Sequence, residues 1–196
     1  RDDEDPRADR LYGDFYQLDM EMAFVNDGET IRQEIEPLFI ALAEKFAHKK
    51  LVLNSEPAKK YLTTDSPVPR LPYEVVMDLY GTDKPDLRYG LELIDLTDTF
   101  KDTDFKVFQT ECVKAICVPG GAILTRREID DFTEMARKLG AGGLAYILYT
   151  DEGAKSPILK FMSEVEIESV KELTGAEVGD AVFFGADSRG QVNKIS

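Results

Sequence analysis

The chain has 196 residues, 43% of them hydrophobic, and a formal net charge of −14. That length and apolar content suffice to bury a core in one or two domains. The charge argues against general attraction to nucleic acid or an anionic membrane, although a local arginine cluster can still act inside an acidic protein.

No apolar run reaches the roughly 18 residues that a spanning helix needs. The first residues carry no secretory signal. A protein without membrane attachment, placed in the cytoplasm, is expected. The chain opens on Arg1 rather than Met, which suggests a start inside a larger protein.

Residues 1–10 form a dense mixed-charge stretch in which Arg1, Arg7 and Arg10 alternate with Asp2, Asp3, Glu4, Asp5 and Asp9. Guanidinium forks in such a loop suit phosphate or carboxylate, and a solvated loop with internal ion pairs has the same pattern. From Asp14 to Val25 the chain alternates. Leu18, Met20, Met22 and Phe24 fall on one face, with Gln17, Asp19, Glu21 and Ala23 on the other, which predicts a half-buried strand. Carboxylates beside an amide at about 7 Å intervals suit a ligand with an ammonium group. The same face is also compatible with an ordinary solvent-facing strand or with a divalent cation.

Asn26-Asp27-Gly28 predicts a turn and a helix cap. Ile31, Ile35, Leu38, Phe39, Leu42 and Phe46 then recur at helical spacing around Pro37, which should kink the helix or cost it one backbone bond. Four of the nine prolines lie at Pro57, Pro67, Pro69 and Pro72 and predict an irregular connection. Val75, Val76 and Leu79 predict a short helix stopped by Gly81.

The texture changes near Arg88–Tyr89, where a domain boundary is placed: 1–88 and 89–196. Beyond it, Phe105–Phe108, Val113–Val118, Leu144–Tyr149 and Ala181–Phe184 read as strands. Thr125 with Glu128, and Ser163 with Glu166, read as capping boxes of two helices. Ile129, Phe132, Ala136 and Leu139 line the first helix, closed by Gly140. Ile167, Val170 and Leu173 line the second, closed by Gly175. The fold class is therefore α+β: a mostly antiparallel sheet with helices on one side.

Cys112 and Cys117, five apart on a strand, face opposite ways and read as two free thiols. His48 is the sole histidine. No zinc site or histidine-based nucleophilic triad is built on it, and no metal ligand is assigned. Pro119-Gly120-Gly121 and Gly140-Ala141-Gly142-Gly143 fit neither a phosphate loop nor a dinucleotide fingerprint and read as turns.

Taken together, Glu4-Asp5-Pro6-Arg7-Ala8-Asp9-Arg10 and Phe15-Tyr16-Gln17-Leu18-Asp19-Met20-Glu21-Met22 resemble the motif 2 loop and strand of the bacterial-type aspartyl-tRNA synthetases, a class II family. The run from Tyr80 to Gly90 resembles the segment leading into that family's large insertion. Val118-Pro119-Gly120-Gly121-Ala122, Gly143-Leu144-Ala145-Tyr146, Ser156-Pro157-Ile158-Leu159-Lys160-Phe161 and the run from Gly179 to Asp187 resemble the insertion itself, which is shared with the B subunit of glutamyl-tRNA amidotransferase. The resemblance covers nearly the whole chain.

It implies a partial class II antiparallel catalytic sheet with helices at 1–88 and a two-layer α/β insertion domain at 89–196. It also implies a reaction: ATP, with Mg2+, activates L-aspartate to aspartyl-adenylate, and aspartate passes to the terminal adenosine of tRNA during translation. Catalysis of this kind rests on positioning and charge stabilisation. The resemblance assigns Arg1 to the catalytic grip on the α-phosphate, Asp3 and Glu4 to the nucleotide, and Gln17 and Asp19 to the aspartate pocket. Asp19 accepts from the substrate ammonium. Arg7 and Arg10 are assigned to the tRNA acceptor end. The family pattern is Arg, one residue, Glu, whereas Arg1 stands three before Glu4 and Asp2 occupies the slot that aligns with the arginine.

Motif 1, which builds the family's homodimer interface, and motif 3 have no counterpart, so the chain reads as a central slice of the enzyme that does not aminoacylate alone. The rival reading is a non-catalytic tRNA-contact or interaction module built on the insertion domain.

Overall fold

The computed structural model describes residues 16–53, 56–63 and 66–195. The chain divides into two compact units, Arg1–Leu53 with Thr64–Val68, and Asn54–Thr63 with Pro69–Ser196. This division falls at different positions from Arg88–Tyr89.

The first unit is dominated by α1 (Gly28–Phe46). Asp27 caps it as the Asn-Asp-Gly turn predicts, its carboxylate accepting from the amides of Glu29 at 2.9 Å and Thr30 at 3.4 Å. Pro37 lies inside an unbroken helix, so its ring costs one backbone bond without ending the element. The Ser66 hydroxyl donates to Glu36 at 2.7 Å, tying 66–68 to α1.

The predicted strand at Asp14–Val25 is not observed over its described part. Residues 16–25 belong to no strand, and Leu18, Met20, Met22 and Phe24 are exposed. A strand forms only where a neighbour completes its hydrogen-bond ladder. None pairs with this run among the described residues. Phe24 also takes a left-handed backbone with φ 60°, which interrupts an extended run.

The second unit is α+β. It comprises α2 (Glu56–Lys59), α3 (Tyr73–Tyr80), β1 (Leu93–Asp95), β2 (Cys112–Val118), α4 (Arg126–Lys138), β3 (Ala145–Thr150), β4 (Gly153–Lys155), α5 (Glu164–Thr174), β5 (Ala181–Asp187) and α6 (Arg189–Ile195). One antiparallel sheet has the order β1-β2-β5-β3-β4. The long pair β2 and β5 sits near its centre, registered from Cys112 opposite Asp187 to Val118 opposite Ala181.

Both faces of this sheet are covered, which corrects the expectation of helices on one side only. Val113, Ala115, Val182 and Phe184 face one core with Phe100, Phe108 and Val170 of α5. Phe108 packs between Phe100 at 4.6 Å and Phe184 at 5.4 Å. Ala181 and Phe183 turn the other way, against Ile129 of α4. Strands buried on both faces lose polar alternation, so they read in sequence as apolar runs.

Phe105–Phe108 is also corrected. Lys106–Phe108 is a 3-10 turn, and Phe105 and Phe108, three apart, fold onto one side with rings 4.8 Å apart. In α4, Ile129 and Ala136 are buried whereas Phe132 and Leu139 stay partly exposed, and in α5 Leu173 is exposed while Val170 is buried.

Both capping boxes form, with the Thr125 and Ser163 side chains accepting from the amides of Glu128 and Glu166. Gly81 and Gly175 stop α3 and α5 in left-handed conformations. No helix among the described residues is long and apolar enough to cross a membrane.

Gly121 has a packing requirement that a glycine-rich turn alone does not impose. A Cβ there would lie 2.8 Å from the Ala181 Cβ and 3.2 Å from Val118. Gly121→Ala is expected to cost about 1–3 kcal/mol by overpacking. Thr125→Ala should cost about 1 kcal/mol through loss of the cap. Urea denaturation midpoints of the two variants check both values.

Candidate functional site

Two of the sequence-predicted site residues come together in the structure. The Gln17 side-chain amide donates to the Asp19 carboxylate at 2.8 Å, and both residues are exposed. Residues two apart in an extended run share a side, so this contact follows from the local chain. The bond orients a carboxylate whose oxygens can each accept more than one donor, beside an amide oxygen that also accepts. That chemistry suits an ammonium group. Glu21, the next acid on the predicted face, is likewise exposed. Arg1, Asp3, Glu4, Arg7 and Arg10 lie outside the described residues.

A second constellation joins residues far apart in sequence. Tyr80 donates its hydroxyl hydrogen to Glu92 at 2.7 Å and lies 3.3 Å from the Tyr61 hydroxyl. Lys60 pairs with the same Glu92 oxygen. Burial, then the hydrogen bonds with Tyr61 and Glu92, push the Tyr80 phenol far up. Burial opposes ionisation of Glu92, but the bonds from Lys60 and Tyr80 outweigh it and hold the carboxyl below its usual range. Both shifts favour a neutral phenol beside a charged carboxylate. The cluster ties Lys60 and Tyr61, which follow α2, to the end of α3 and to Glu92, which precedes β1. Nothing local in sequence signals it, because its hydrogen-bonded pairs are 12 to 32 positions apart.

The glycine turn after β2 is held by Asp180. Its carboxylate accepts from the amides of Gly120 at 2.9 Å and Glu177 at 3.0 Å. Gly120 has φ 71°, a conformation natural to glycine. The predicted reading of Pro119-Gly120-Gly121 as a turn agrees with this geometry. Both cysteines are free, Cys112 buried and Cys117 partly so, and burial pushes each thiol up. Neither has the lowered pKa of a nucleophile. No group of three or more His, Cys, Asp or Glu that could hold a metal ion occurs among the described residues.

The Glu177 and Gly120 amides hold the Asp180 carboxyl below its ordinary 3.8. A depressed carboxyl stabilises the fold above its unfolded value, and that contribution disappears as pH falls through the folded value. Asp180→Asn should therefore lower the urea midpoint near neutral pH, with the gap from the unsubstituted chain closing below about pH 3.8. Urea titrations at a series of pH values measure the gap.

Residues 106–196 match the GAD domain family. Over 94% of its length the chain is 45% identical to the aspartate–tRNA(Asp/Asn) ligase of Pelodictyon phaeoclathratiforme (strain DSM 5477 / BU-1), covering 29% of that protein. It is 46% identical over 94% of its length to the ligase of the same name from Chlorobium chlorochromatii (strain CaD3), again covering 29%. With the ligase of that name from Chlorobium phaeobacteroides (strain BS1) the identity is 42% over 98% of the chain, covering 30%. The chain thus spans about three tenths of the curated relatives it matches.

Proposed function

We propose, for a chain that belongs to the aspartate–tRNA ligase family and carries a GAD domain at residues 106–196, that it is part of an enzyme joining L-aspartate to tRNA with ATP. The observation that carries this reading is the 2.8 Å bond setting the Gln17 amide against the Asp19 carboxylate. It lies within a chain whose relatives are named for that activity. The relatives' name covers both tRNA(Asp) and tRNA(Asn), and the same dual range is proposed for the parent of this chain.

In this reading Asp19 accepts from the substrate ammonium and Gln17 orients that carboxylate. Arg1 meets the α-phosphate of ATP, where charge builds up as the aspartate carboxylate attacks and pyrophosphate leaves. Asp3 and Glu4 face the nucleotide. Arg7 and Arg10 meet the acceptor end of tRNA through short-range forks, which a net acidic chain can carry. Mg2+ would neutralise phosphate charge in the parent, and no described residue is assigned to hold it. Residues 1–88 are proposed as part of the class II catalytic domain and 89–196 as the insertion. A homodimeric, cytoplasmic parent completes the proposal.

A chain spanning about three tenths of its relatives is proposed to lack activity alone. Aspartate-dependent ATP–pyrophosphate exchange tests both parts. The full-length parent should exchange robustly and the isolated 196 residues should not. In the parent, Asp19→Ala should lower kcat/KM for aspartate by about a hundredfold through loss of a charge-assisted bond. Exchange by the isolated chain would refute its inactivity, and near-normal kcat/KM in the variant would refute the ammonium role.

A further inference from the structure

Lys114 is 1% exposed although it sits on the long central strand β2. Its ammonium donates to the Asp78 backbone oxygen at 2.6 Å, the Asp78 carboxylate at 2.6 Å and the Asn193 side-chain oxygen at 3.2 Å. Asp78 lies on α3 and Asn193 on α6. Arg189, also on α6, donates to the same Asp78 oxygen at 2.6 Å and to Asp95 of β1 at 3.0 Å. Asp95 is the register partner of Lys114 across β1 and β2, so the two cations and two carboxylates occupy one patch of the sheet. A buried ammonium is tolerated only when its three donors are used, and here all three are.

Two glycines bring the helices to this patch. A Cβ on Gly81, at the end of α3, would lie 2.3 Å from the backbone oxygen of Asn193, so the α3 terminus touches the α6 backbone directly. Gly185 of β5 is the register partner of Lys114 on the other side. A Cβ there would lie 3.3 Å from both Val192 and Ile195 of α6. The missing side chains let α6 lie flat beside the lysine.

We propose that Lys114 is the centre of a clamp fastening α3, through which the chain comes to the sheet, to α6, into which it passes from the last strand. The clamp makes the sheet and its two flanking connections one cooperative body. It also ties 73–95, a run that straddles the proposed boundary at Arg88–Tyr89, to the folding unit that holds the GAD domain match from residue 106 onward. The inference is independent of the proposed activity.

Amide hydrogen exchange on the full chain tests it, comparing Asp78→Ala, Lys114→Met and Arg189→Ala with the unsubstituted protein. Asp78→Ala removes the carboxylate that neutralises the buried ammonium, leaving it only the residue 78 backbone oxygen and Asn193, and should speed exchange in both α3 and α6 by about a hundredfold. Lys114→Met removes the buried charge with little change of volume, so its effect should be smaller, about tenfold. Arg189 is half exposed, and its alanine variant keeps the test alive if Asp78→Ala fails to fold. In each folded variant α3 and α6 should loosen together, ahead of the β2–β5 amides. Loosening of one helix alone, equal loosening of helices and sheet, or no change in either helix would overturn the clamp.

Discussion

The pairing of β2 with β5 is the constraint on which the second unit depends. Each strand has seven residues, and their register alternates side chains between two cores. A pair buried on both faces needs covers on both, which α5 and its neighbouring aromatic residues supply on one side and α4 on the other. Positions that cannot take a large apolar side chain become the sites of special chemistry. Gly185 admits α6, Gly121 admits Ala181 and Val118, and Lys114 is neutralised by partners from α3 and α6. The sheet thus determines where the chain can cross it and where it must be glycine.

The two units use different physics. The second is organised around the buried sheet. In the first, no residue of α1 is fully buried, and the helix is held by its cap, its backbone bonds and the bond from Ser66 to Glu36. An apolar stripe at helical spacing stabilises a helix chiefly when packed, because intrinsic propensity contributes little over such a length. The same reasoning applies to Leu18, Met20 and Met22, whose alternation suits a strand but whose described neighbours offer no ladder. The proposed aspartate-binding role of Gln17 and Asp19 therefore rests on a local pair oriented by a hydrogen bond, within a segment whose alternation still has the pattern of a sheet.

What could be read in the sequence was what depends on neighbours three or four residues away. Asp27, the Thr125–Glu128 and Ser163–Glu166 boxes, and the left-handed Gly81 and Gly175 are local, and their chemistry marks helix ends unambiguously. Strands β1 and β4, three residues each, were not legible because they exist only as partners of distant segments. The apolar content of Phe105–Phe108 suggests a strand, whereas the three-residue spacing of the two phenylalanines is the helical signal. At the site, Gln17 and Asp19 were legible as residues two apart. The Lys60–Glu92–Tyr80 cluster and the Lys114–Asp78–Arg189 clamp span separations from 12 to 111 positions and leave no local trace.

The central claim is that the Asp19 carboxylate receives the ammonium of aspartate. Succinate keeps both carboxylates of aspartate and lacks only that ammonium, so comparing the two ligands isolates the contact. Equilibrium binding of L-aspartate and succinate to the full-length parent and its Asp19→Asn variant is the most direct measurement. The unsubstituted enzyme should prefer aspartate by about a hundredfold or more, and the variant should lose most of that preference through weaker aspartate binding. An unchanged preference for aspartate in the variant would contradict the account.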